Sequence, residues 1–278
     1  MSDDTDAGQP TEKDRVVALL RQVWSSISRL LGSLPAEAWS LPALPGWDVH
    51  DTVAHLVGVE RTLTGAEPPP ATSGVGVGDH VRNDVARLNE GWVVALRDRS
   101  PGELLADFDD VTAQRLTDLD LMEVADFDAP SWTPVGQATY GRFMQVRVFD
   151  SWMHEQDIRA VTGLPGNEQG PVAEEALTEV IRALGYIVAK RGGAPDGSTV
   201  TVRLTGPIER ELHVKVEGRA KVVESLEGAP TVTLSLSSSL FFRLAGGRVD
   251  PATVLDQIGL DGDADLARRL ATHLAYTI

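Results

Sequence analysis

The chain has 278 residues, 42% of them hydrophobic and 24% charged, with no cysteine and a net charge of −16 from 25 Lys+Arg against 41 Asp+Glu. That length suits two globular domains, each with its own core. The acidic balance disfavours nucleic acid and anionic membrane surfaces, no apolar run approaches the roughly 20 residues of a membrane span, and the missing cysteine excludes disulfides, thiolate ligands and a cysteine nucleophile.

The opening MSDDTDAGQPTEKD lacks the basic and apolar regions of a signal peptide, so residues 1–12 read as a disordered leader to a cytoplasmic protein. Val16, Val17, Leu19, Leu20, Val23, Trp24, Ile27, Leu30 and Leu31 then recur at helical spacing, and Pro35 ends that helix. After a turn-rich stretch, Asp48 caps a second helix carrying Val53, His55, Leu56 and Val59. A Gly-rich loop, ATSGVGVGD, precedes a third helix over Val81 to Arg97, and Pro101 opens another, lesser helical segment to Leu116. The run DFDAPSWTPVGQATYG reads as a long loop into a helix from Tyr140 to Val161. Four principal helices suit a bundle, residues 13–165.

TGLPGNEQGP reads as a linker. The second domain, residues 171–278, begins with an amphipathic helix over Pro171 to Lys190. The segments STVTVRLTG, ERELHVKVEGRAKVVES and APTVTLSLS alternate at period two and read as strands. Short helices are expected at Ser238–Ala245 and Pro251–Ile258, and a last one from Asp263 to Ala275. Helix, strands and helices in that order make this half α+β.

The chemistry concentrates in VFDSWMHEQDIR. Asp150, His154 and Asp157 stand at i, i+4 and i+7, on one helix face. Asp150 and His154 offer an oxygen and a nitrogen to a divalent ion such as zinc, nickel, manganese or iron, or they form a helix-stabilising pair and nothing more. His55, between Ala54 and Leu56, is the candidate third ligand; the bland alternative is a hydrogen-bonded core histidine. Asp157 has two readings, a partner for the His154 ring and an ordinary salt bridge. Glu155, about 100° from His154, is expected at the surface. His50 is expected at the mouth at most, His80 in a loop, and His213 facing solvent. Trp47 and Trp132 are candidate pocket walls or local core.

GWDVHDTVAHLVG together with FDSWMHEQDIRAVTGLPG resembles the actinobacterial relatives of mycothiol-dependent maleylpyruvate isomerase. The resemblance implies a DinB-like four-helix bundle followed by a smaller sterol-carrier-like α+β domain. It implies a divalent metal, usually zinc, on His55, Asp150 and His154, with Asp150 a shorter ligand than the family's Glu. It also implies mycothiol or a similar thiol as cosubstrate, whose sulfur attacks a small electrophile, and a contribution from an arginine of the second domain, for which Arg243 and Arg248 are the candidates. The expected function is metal-dependent, thiol-assisted isomerisation or transfer, by a monomer or homodimer with neither nucleic acid nor membrane as partner. Two other readings stand beside it: a non-catalytic carrier of an apolar ligand, and a metal-dependent hydrolase on the same bundle.

Overall fold

In the computed structural model, which describes residues 10–69, 81, 83–133 and 136–277, Thr11 and Asp14 cap each other's backbone and start helix α1 (Glu12–Ser33). The expected leader therefore ends in an ordered cap, and its residues 1–9 lie outside the described residues. The apolar positions predicted for α1 are all buried. Each such Val or Leu contributes roughly 1.5–3 kcal/mol on burial.

A short hairpin, β1 (Pro42–Leu44) with β2 (Trp47–Asp48), leads into α2 (Val49–Leu63), where the Asp48 side chain accepts from Asp51 N. Helix α3 (Asp84–Leu96) starts three residues later than expected, because the Asn83 side chain caps it by accepting from Ala86 N. Gly58 lets α2 and α3 approach: a Cβ there would run into the Trp92 side chain. Helix α4 (Pro101–Leu121) continues past Leu116, with Leu119 fully buried one turn beyond.

The expected loop before the last helix carries structure of its own. It holds a single turn, α5 (Val124–Phe127), and a hairpin of β3 (Pro130–Thr133) with β4 (Gly136–Thr139). Strands of four residues are too short to show a period in sequence. Helix α6 (Tyr140–Thr162) follows, capped by Thr139 and stopped by Gly163 in the left-handed region at φ 67°. It packs on α1 and α2, while α4 packs on α1 and α2. Buried residues surround α6 on every side, Arg147, His154, Glu155 and Asp157 among them.

These elements form one compact unit, Met1–Gly166, and Asn167–Ile278 form another. In the second unit α7 (Pro171–Tyr186) runs into a π-turn at Ile187–Arg191. Strands β5 (Thr199–Thr205), β6 (Arg210–Glu217), β7 (Arg219–Val223) and β8 (Val232–Ser237) join β9 (Gly259–Gly262) in a sheet of order β7-β6-β5-β8-β9. β5 and β8 run parallel and the other neighbours antiparallel. The run from Glu209 to Ser225 is thus a hairpin turned at Gly218, not one strand. The register puts Val200 beside Val214 and Val232, and Val202 beside Leu212 and Leu234, all buried in common rows.

Helix α8 (Ser238–Ala245) lies where expected. The expected helix over Pro251–Ile258 is instead two 3-10 turns, Pro251–Thr253 and Leu255–Gln257, broken by the non-helical backbone of Val254, and β9 follows. Helix α9 (Ala264–Thr272) packs on β8 and β9. The helical first unit and mixed-sheet second unit agree with the expected fold class. Among the described residues no helix is long and apolar enough to cross a membrane.

Candidate metal centre

Helices α2 and α6 bring His55, Asp150 and His154 together, with one potential ligand atom from each lying within 4.8 Å of the others. His55 Nε2 is 3.4 Å from Asp150 Oδ2, and His154 Nε2 is 3.7 Å from Asp150 Oδ1. The two imidazole centroids are 4.8 Å apart. Both histidines are buried, while the Asp150 side chain keeps 29% of its surface exposed.

His55 carries the strongest sign of a ligand. Neither of its ring nitrogens has a hydrogen-bond partner among the described residues. Leaving buried polar atoms unpaired costs free energy, and proteins seldom tolerate it. Burial lowers the His55 pKa, and the opposing pull of Asp150 does not restore it, so the ring is held neutral with a lone pair to give. For Asp150, burial alone would raise the pKa, but Arg147, His154 and His55 outweigh it and hold the carboxyl well below its ordinary value. Two imidazoles and an ionised carboxylate are a donor set for a divalent transition metal, so the residues fit that group.

Asp157 sits behind this set, its Oδ2 3.1 Å from His154 Nδ1. Trp47 stacks at a tilt over both histidines, its centroid 5.2 Å from His55 and 6.4 Å from His154, while its Nε1 donates to Glu90 at 3.0 Å. Trp132, the other wall candidate, is 57% exposed on β3 and makes no ring contact among the described residues. His50 bonds through Nε2 to the Arg99 carbonyl at 2.8 Å. His80 lies outside the described residues. His213 is partly buried and bonded to Thr201, not turned freely to solvent. In the second unit Arg243 is exposed on α8, and Arg248 donates to the Gly246 carbonyl at 2.7 Å.

Glu155 corrects the sequence reading. It is fully buried, accepting from Ser26 Oγ at 2.7 Å and from Arg159 Nε at 2.9 Å. The offset of about 100° from His154 turns it toward α1, away from the partly exposed side of α6 that carries Arg142, Val146 and Asp150. Sequence reasoning also passed over Glu60, Arg115 and Arg147, all buried beside the site. The available signal was a charge inside an apolar run, as in QVRVFD and VGVERTL.

Two family models match the chain: "Mycothiol maleylpyruvate isomerase N-terminal domain" over residues 20–159 and "MDMPI C-terminal domain" over residues 174–269. The solved structure of the mycothiol-dependent maleylpyruvate isomerase is similar at 18% identity and TM-score 0.54, covering 90% of this chain and 92% of that one. A point mutant of that isomerase aligns over the same shares at 17% identity and TM-score 0.57. Sterol Carrier Protein 2 from Yarrowia lipolytica aligns over 37% of this chain at 13% identity and TM-score 0.27, too low to carry an argument. A search of curated proteins found no match. At such identities the solved structures speak for the fold alone, whereas the first family model spans half of the chain, and by that match the chain belongs to the mycothiol maleylpyruvate isomerase family.

Proposed function

We propose that the chain is a divalent-metal-dependent enzyme that uses mycothiol or a similar low-molecular-weight thiol to isomerise a small electrophile or to add to it. Family membership supports a thiol-dependent isomerase or transferase. The observation that carries the metal is His55, a buried neutral imidazole that makes no hydrogen bond among the described residues, with its Nε2 3.4 Å from Asp150 and His154 beside it. A divalent ion on these three residues, zinc first among the candidates, would supply Lewis acidity and lower the pKa of a thiol brought to it. The chain contains no cysteine, so that thiol comes from outside.

The protein's own groups prepare the site. Asp157 accepts the His154 Nδ1 proton, which leaves the Nε2 lone pair on the side of Asp150. Trp47 lies against both imidazoles and walls one side of the site. In an isomerisation the sulfur adds to one carbon of a cis double bond, the former double bond turns as a single bond, and departure of the sulfur restores the alkene in the trans form. Thiol is regenerated and no residue is consumed. In a transfer the adduct itself is the product.

Maleylpyruvate is the substrate named for the similar structures and the first compound to assay, with mycothiol. Conversion that needs thiol and disappears on chelation supports the proposal. Conversion without thiol, or undiminished after demonstrated metal removal, contradicts it.

A further inference from the structure

Glu60 stands five residues beyond His55 on α2 and is 1% exposed. Its Oε1 accepts from Arg147 Nε of α6 at 2.8 Å, and its Oε2 from Arg115 Nε of α4 at 3.0 Å. Arg115 also donates to the Tyr140 hydroxyl at 2.7 Å. Arg147 spends another arm of its guanidinium on the site, with Nη1 2.6 Å from Asp150 Oδ2. Two cations meet two anions, so the cluster is neutral by itself. One planar fork thus joins the helix that carries His55 to the carboxylate that faces it.

We infer that Arg147 is a positioning residue: with Glu60 it forms a buried clamp that sets the spacing of His55 against Asp150 and His154, and it turns Asp150 so that Oδ1 is left for the metal. The inference rests on the metal reading above. Charge and position act in opposite directions here. A buried cation beside a metal ligand repels the incoming ion, so if Arg147 acted through charge alone, removing it would tighten metal binding. A clamp makes the opposite demand: removing it lets the ligands drift apart and weakens binding.

The test is zinc affinity, by competition with a chromogenic chelator, for wild type, Arg147→Met, Arg147→Lys and Glu60→Gln. Cobalt(II) spectra of each report the coordination shell, which a merely structural role would leave unchanged. All six tryptophans lie in the first unit, so their fluorescence checks that this unit is folded in each variant. We expect affinity to fall about 10–100-fold in Arg147→Met and Glu60→Gln, with altered cobalt spectra. Arg147→Lys should fall at least as far, since one ammonium keeps the repelling charge but cannot hold both carboxylates in fixed geometry. If Arg147→Met does not fold, the Lys and Gln variants decide. Folded variants that bind zinc as tightly as wild type or more tightly, with unchanged cobalt spectra, overturn the clamp. Wild type that binds no zinc overturns the metal reading, and the clamp with it.

Discussion

His154 Nδ1 lies 3.1 Å from Asp157 Oδ2, less than one turn further along α6, and this contact decides which nitrogen of His154 faces the site. Neutral imidazole has one N–H, and a carboxylate on Nδ1 draws it there, leaving Nε2 as the lone-pair nitrogen 3.7 Å from Asp150 Oδ1. Asp157→Asn keeps the shape and removes the charge that fixes the tautomer. Metal affinity is expected to drop about 10–100-fold, measured by chelator competition; unchanged affinity would show that Asp157 does not orient the ligand.

Glu155 offers a contrast on the neighbouring face. It is bonded to Ser26 and Arg159 and touches none of the proposed ligands in those contacts. Glu155→Ala leaves Arg159, 15% exposed, without that carboxylate. Breaking a buried pair by removing one partner costs about 3–5 kcal/mol. Urea unfolding followed by tryptophan fluorescence should show that loss, while zinc affinity of the folded variant stays near wild type.

Gly58 has no room for a side chain against Trp92. Gly58→Ala should force the α2–α3 contact open and destabilise the first unit by about 1–3 kcal/mol. A variant as stable as wild type in the same unfolding experiment would mean that α3 shifts without cost.

Acid stability of the metal-free protein follows from Asp150. Its folded pKa is held well below the ordinary carboxylate value, so it contributes stability that is present above the unfolded pKa of about 3.9 and is lost as pH falls through the folded one. In chelator, wild type should lose stability on acidification below about pH 4 more steeply than Asp150→Asn, whose side chain does not titrate. Parallel pH curves for the two proteins would contradict the charge assignment.

Much of the fold was legible because its signals are local and repeated. The face of α1 buries the apolar positions its 3.6-residue period marks out, and β6 and β8 alternate cleanly. The convergence of Asp150 with His154 was legible for the same reason, since i and i+4 share a face. The strand β9 was not: in Gly259–Gly262 only Leu260 is apolar, and its pairing with β8 depends on partners some 25 residues away. Glu155 was misread because the step of about 100° from His154 turns it toward α1 and Ser26, not toward solvent. Glu60 and Arg147 each stand inside an apolar run, and what keeps them buried is an opposite charge from another helix, which their own segments do not show.

The central claim is that His55, Asp150 and His154 hold a divalent metal, and elemental analysis of purified protein beside His154→Ala and Asp150→Ala tests it most directly. The account predicts near-stoichiometric metal in wild type, lost in both folded variants. Wild type that takes up no metal after reconstitution with zinc, nickel and manganese, or variants that retain it fully, would contradict the account.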